Sequence, residues 1–373
     1  MFKTFRRNFA NLIGAYVPRK IVVFESDDWG SVRTYNAEAY HQMSQRGLNV
    51  DHNHYGNDSL ESNEDLEMLF DVLSSFKDST GRHPVFTPFC CMANPDFDKI
   101  AADNYQTYFY QSLEDTVKYY ENHSRLLELW RKGKESRLFC PQLHAREHLN
   151  VRRWMEMLNW PDGGLKFAAS LKSVGVSANG NVKYKNYLGA LHPESSDEIP
   201  QLHQIVEDAG NLYNKYLGHR PTCFVAPNAE EPKELESTIK KIGIQSITRA
   251  KIRKYPLGDG KFKTEFNWFG KVNSHGQIIL VRNAFFEPVC YGEPDKAHIS
   301  DWVDHCMKNI SIAFRWKKPA VISTHRVNYI GHINPQNREK GIKELRRLLH
   351  SILKQWPDVE FMTSEELAYT LRS

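Results

Sequence analysis

The 373-residue sequence has no basic run of five or more residues, no Cys-x-x-Cys pair and no internal repeat. It also has no apolar stretch long enough to span a bilayer. Each absence narrows the possibilities. Basic and acidic residues nearly balance, 49 against 45, and without a basic tract a nucleic-acid partner is not expected. Six cysteines are scattered as Cys90, Cys91, Cys140, Cys223, Cys290 and Cys306, mostly in apolar surroundings. That pattern points to reduced thiols in a cytoplasmic protein rather than to a disulfide framework. A clean signal peptide is also missing, because Asn8 and Asn11 interrupt the apolar residues at the N-terminus.

The composition is that of an ordinary globular protein, 40% hydrophobic and 25% charged, so the chain can bury a sizeable core. Phe2, Phe5, Phe9, Leu12 and Tyr16 recur at helical spacing, with Lys3, Arg6 and Arg7 between them. They predict an amphipathic helix over residues 1–19, packed beneath the main domain or making peripheral contact with a membrane surface.

From residue 20 onward, strand-like runs alternate with helical ones, which argues for βα units around a parallel sheet or barrel in one domain, 20–373. The expected strands are 21–25, 84–90, 138–143, 222–226, 245–249, 277–281, 320–324 and 359–362. Helical patterns cover 36–46, 63–76, 113–131, 201–217, 232–242, 300–314 and 337–355. Two stretches, 47–62 and 160–200, are polar, turn-prone and weakly periodic, and read as insertions. His52 and His54 lie in the first, as parts of a solvated loop.

Three short motifs carry chemistry. The first strand, IVVFESDDWG, runs four apolar residues into Asp27 and Asp28, with Gly30 placed for a sharp turn. On this stretch alone, a solvated turn and a functional acid pair are equally consistent. In FCPQLHAREHLN, His144 and His148 are four apart and face the same way on a helix or tight turn. With 16 histidines about one such pair arises by chance, but His144 follows a predicted strand. Two histidines and a carboxylate from separate strand ends suit Zn²⁺ or a similar divalent ion. In PAVISTHRVN an apolar strand ends at His325, whose ordinary pKa suits proton transfer.

Together these motifs resemble the polysaccharide deacetylase family, which carries a NodB-homology domain. The resemblance covers most of residues 20–370, with large insertions, and implies a distorted (β/α) barrel of about seven or eight parallel strands. FESDDWG matches the family's first motif, which implies Asp27 as catalytic base and Asp28 as metal ligand. His144-Ala-Arg-Glu-His148 matches the second motif apart from Ala145, and implies both histidines as ligands. VISTHRVN supplies the last motif, with His325 as catalytic acid. PVFTPFCCMANPDF, Cys223–Asn228 and VEFMTSEELA are weaker echoes.

The implied activity is metal-dependent hydrolysis of an N- or O-acetyl group on a saccharide, with zinc as the expected ion. Hydrolysis of another C–N amide bond on the same scaffold, or a degenerate carbohydrate-binding protein, are the alternatives. Val225 stands where the family's third motif has an arginine, so Arg282 or Arg249 is expected to substitute. The fourth motif's aspartate is not recognisable: Asp301-Trp302 reads as a helix start behind an N-capping Ser300, which leaves Glu287 or Asn283 to tune His325. Trp29, Pro227, Asn228 and Arg282 are candidate substrate contacts. Tyr35, Phe89, Phe224 and Tyr329 are further aromatics near the motifs, one or two of them expected to stack on sugar. Glu25, two residues before Asp27, shares its face of the strand without an assigned role.

Overall fold

Strands and helices alternate as the sequence pattern predicts, and the strands join in one curled, mostly parallel sheet. The computed structural model describes residues 11–48, 50, 54–160, 164–176, 183–184, 187–290 and 299–372. Numbered in chain order, the strands of this sheet are β1 (Ile21–Trp29), β2 (Phe86–Cys91), β3 (Gln142–Ala145), β4 (Cys223–Phe224) and β5 (Ser246–Thr248). They continue as β6 (Lys271–Val272), β7 (Ile278–Leu280), β8 (Ala284–Phe285), β9 (Ala320–His325) and β10 (Glu360–Phe361). Their order across the sheet is β6-β7-β5-β4-β3-β2-β1-β9-β8, with β10 also beside β1. Every pair is parallel except β6 with β7.

The curl follows from the chain itself. β7 and β8 lie towards opposite ends of the sheet order, yet only Val281, Arg282 and Asn283 separate them. Such a link reaches no farther than roughly 14 Å. On one side Arg249 N donates to Leu280 O at 3.0 Å, and on the other Asn283 N donates to Val321 O at 3.1 Å. The run 278–285 is therefore a seam that draws the two sides of the sheet together around Arg282, giving the distorted barrel.

Apolar patterning supplies the packing. Ile21–Phe24 are fully buried, and Phe24 stacks on Phe86 with ring centroids 5.2 Å apart. The helix Pro335–Gln355 is capped by Asn334 and buries Leu345, Leu348, Leu349 and Ile352, an i, i+3, i+4, i+7 stripe. Residues around both insertions form a smaller second core, including Met43, Val50, Trp154, Leu165 and Tyr187.

Four expectations change. Strand 138–143 instead begins at Gln142, because Pro141 has no N–H for the ladder. The helix expected over 113–131 divides into Leu113–Thr116 and Leu126–Glu135. Asp301, not Ser300, caps the helix Trp302–Arg315, its carboxylate accepting from Asp304 N at 2.9 Å. The first ten residues of the expected N-terminal helix lie outside those described, as does His52, and residues 11–19 are not helical. Ala15 N donates to Phe269 O at 2.8 Å and Val17 N to Lys317 O at 2.9 Å, so these amides bond to other segments rather than along a helix. Among the described residues no helix is long and apolar enough to cross a membrane.

One close approach links this packing to the strand ends. A Cβ on Gly341 would overlap the carbonyl oxygen of Asn328, in the turn just after β9. Gly341→Ala is therefore expected to destabilise the protein by about 1–3 kcal/mol, read from the denaturant midpoint. An unchanged midpoint would contradict this contact.

Candidate functional site

Adjacent residues of a regular strand point to opposite faces, so a strand should not present Asp27 and Asp28 together. β1 does so through a bulge. Ser26 pairs with Pro88 and Trp29 with Cys90, three steps against two, leaving one extra residue between them. Asp28 takes φ +78, an unusual value for a non-glycine residue, which costs roughly 1–3 kcal/mol. The result is that both carboxylates line one cavity of about 870 Å³. β3 has a similar irregularity: Cys90 pairs with Leu143 and Cys91 with Ala145, and His144 is the extra residue.

His144, His148 and Asp28 meet in that cavity, with one potential ligand atom from each lying within 4.8 Å of the others. His144 Nδ1 donates to Val225 O at 2.6 Å, which turns Nε2 towards Asp28. His148 Nε2 is 3.1 Å from Asp28 Oδ1. Burial, aided by Arg33, lowers the His148 pKa to about 4 against the pull of Asp28, so its imidazole is neutral at ordinary pH. His144 Nε2 is buried without a hydrogen-bond partner, and Asp28 Oδ2 has no hydrogen bond and only the Arg33 guanidinium beside it, an arrangement that costs energy unless something binds them. Two imidazoles and a carboxylate with unmet acceptors fit a divalent cation.

Asp28 is backed by buried charge. Arg33 lies 3.3 Å from Asp28 Oδ2 and 3.4 Å from Asp58 Oδ2. Arg326, fully buried, donates to Asp58 at 2.9 and 3.0 Å and to Glu61 at 2.9 Å. Burial opposes ionisation of Asp28, but Arg33 and the two histidines hold its pKa well below the ordinary carboxylate value. Asp58 and Glu61 come from the end of the first insertion, and no sequence signal singled them out.

Asp27 has a different environment. The Arg282 guanidinium grips both its oxygens, at 2.6 and 2.5 Å, while Arg282 Nε donates to Glu25 at 2.7 Å. Burial would raise the Asp27 pKa, but Arg282 outweighs it and keeps the carboxyl below its ordinary value. Glu25 also accepts from Thr248 Oγ1 at 2.9 Å and from Ser364 Oγ at 2.7 Å. Its role is thus to anchor the arginine. Arg249 bonds instead to Glu231 and Glu236. Of the two expected substitutes for the missing arginine, Arg282 is the one that reaches Asp27.

His325 is the register partner of Asp27 across β1 and β9, with Nε2 3.9 Å from Asp27 Oδ2. Its Nδ1 is 2.6 Å from Glu287 Oε1, and Asn328 Nδ2 donates to Glu287 Oε2 at 2.6 Å. Burial disfavours the imidazolium, yet Glu287, with Asp28 and Asp27, raises the His325 pKa to about 9. Asn283 instead ties the Val321 amide to Pro319 O.

The expected substrate contacts divide. Asn228 lines the cavity at φ +56, and so does Arg282, though engaged with Asp27 and Glu25. Pro227 is buried and is not among the lining residues. Trp29 faces away: its Nε1 donates to Ser26 Oγ and its ring packs edge-on against Phe139. Phe89, Phe224 and Tyr329 are buried and Tyr35 partly so, and none lines the cavity, whereas Phe285 is 45% exposed and does.

A cation held by these three side chains stabilises the folded chain by mass action, about 4 kcal/mol at a thousandfold excess over Kd. Zinc added to metal-stripped protein should raise Tm, and His144→Ala should abolish the rise. An equal rise in that variant would place binding elsewhere.

No family model matches the sequence, and no curated protein matches it. Among solved structures, a candidate polysaccharide deacetylase from Mycobacterium smegmatis is 12% identical, with 97% of this chain and 95% of that chain covered and a TM-score of 0.45. The Xyl-CE4 domain of a multidomain xylanase from the hindgut metagenome of Trinervitermes trinervoides is 10% identical over 94% of this chain and 91% of that one, at 0.38. A mutant of a CE4 family pseudoenzyme is also 10% identical, over 96% and 71%, at 0.38. These are structures to which the chain is similar; at such identities none passes an activity to it.

Proposed function

We propose that this chain is a metal-dependent hydrolase that removes N- or O-acetyl groups from a saccharide. The observation that carries the reading is one cavity holding a buried Asp-His-His cluster, an arginine-gripped carboxylate and a cationic imidazole. We take Asp28, His144 and His148 as the metal ligands, Asp27 as the base and His325 as the acid. Zinc is the proposed ion, since two imidazoles and a carboxylate suit it. Bound there, it would supply Lewis acidity, polarising the acyl carbonyl and making water easier to deprotonate.

The protein's own groups account for the proton transfers. Asp27, held ionised by Arg282, accepts the proton lost by the attacking water. Arg282 also fixes the direction of the carboxylate, so the base is oriented before substrate arrives. His325, protonated through neutral pH, donates to the departing amine or alcohol from Nε2 while Glu287 holds Nδ1. Acetate and the deacetylated sugar leave, and proton exchange with solvent returns Asp27 to the carboxylate and His325 to the imidazolium. Six cysteines without a disulfide among them suit a reducing compartment, and we place the substrate in the cytoplasm.

Acetate release from acetylated oligosaccharides by the zinc-loaded protein tests this reading. Asp27→Asn and His325→Ala should each lower kcat by roughly 10²–10⁴ with folding intact. Failure of the wild-type protein to release acetate from amide or ester substrates would overturn the reading.

The acid also sets a pH limit. His325 is protonated below its raised pKa, about 9 with Asp28 free and lower once a cation offsets the Asp28 charge, so kcat/KM should fall as pH rises through that pKa. Glu287→Gln removes the main stabilising charge and should move that limb towards the ordinary histidine range. An unmoved limb would exclude the Glu287–His325 pair as its source.

A further inference from the structure

The cavity's side chains carry more positive than negative charge. Asp27 and Asp28 are its acidic lining residues, against Arg33, Arg249, Lys251 and Arg282. The three arginines have partners: Arg33 has Asp28 and Asp58, Arg249 has Glu231 and Glu236, and Arg282 has Asp27 and Glu25. Lys251 has no side-chain hydrogen bond or ion pair among the described residues.

Lys251 is not on a loosely held loop. It lies between β5 and an antiparallel hairpin, Ile252–Gly258 with Lys261–Phe266. Asn267, itself buried, clamps its backbone: Asn267 N donates to Lys251 O at 2.8 Å, and Asn267 Nδ2 to Ala250 O at 3.0 Å. The stem is partly buried, and burial alone lowers the ammonium pKa to about 8. A desolvated ammonium without an acceptor is a cost that an incoming anion relieves.

We infer that the cavity takes an anionic saccharide, with Lys251 pairing with its carboxylate or phosphate. The acetyl-bearing part of that substrate rests on the deacetylase reading above; the anionic group rests on the charge of the cavity. Lys251 is then a specificity-determining residue, separate from the groups that move protons. The closed ion pairs of the arginines, and the hold of Glu287 on His325, leave this ammonium as the lining cation without a carboxylate partner among the described residues.

The test compares N-acetylglucosamine, N-acetylglucosamine 6-phosphate and N-acetylglucosaminuronic acid on the zinc-loaded protein. At least one charged probe should exceed the neutral one about tenfold in kcat/KM, and the difference between the two charged probes identifies the preferred anion. Lys251→Ala should collapse that ratio and Lys251→Arg should largely restore it. Calorimetry with glucosamine, glucosamine 6-phosphate and glucosaminuronic acid reads the same preference without catalysis, as tighter, salt-weakened binding that Lys251→Ala removes. Lack of acetate release alongside a Lys251-dependent binding preference would sink the deacetylase reading and keep this one. Equal binding of charged and neutral sugars, or a preference unchanged in Lys251→Ala, would overturn it.

Discussion

The bidentate contact between Arg282 and Asp27 sits where the curled sheet meets itself, and much of the site depends on it. A buried carboxylate would ordinarily take up a proton, and a buried guanidinium would be costly without acceptors. Here each makes the other tenable, and Glu25 absorbs the donor that Asp27 does not use. Arg282 can do this because it belongs to the three-residue link between β7 and β8. The closure of the fold and the charge state of Asp27 therefore share one residue. Ser364, at the start of the C-terminal helix, reaches Glu25 and extends the arrangement to the end of the chain.

A second chain of contacts fixes His325. Parallel pairing sets it beside Asp27, but strand register alone does not set its charge. Glu287 does, and Glu287 is held by Asn328, whose backbone lies against Gly341 of the helix Pro335–Gln355. Packing at the outside of the molecule is thus coupled to the imidazole through a short series of named contacts. Asp27 and His325 face each other, but separate networks hold them.

The apolar strands were legible in sequence because β-branched and aromatic runs bounded by turns leave few alternatives, and the three motifs lay at the ends of such runs. The Asp28–His144–His148 group assembled because its members belong to β1, β3 and the turn after β3. The partners of these residues were harder to see. Asp58, Glu61 and Arg326 form their ion pairs across more than 260 positions of sequence, a separation at which no local period operates. Arg282 was visible as a substitute for a missing arginine, but its grip on Glu25 was not. Trp29 was expected at the site as an aromatic beside the two aspartates, but it lies beyond the bulge, where its ring returns to the face of Ser26.

That bulge has an evolutionary consequence. A strand that alternates regularly can exchange residues one at a time without changing which side of the sheet each faces. β1 cannot lose either aspartate by deletion without returning to simple alternation, which would direct the survivor according to its parity and shift Trp29 out of its packing. The acid pair depends on the extra residue as much as on two residue identities. A lineage could erase one function by substitution and keep the fold, but removing the extra residue would alter the site and the core together.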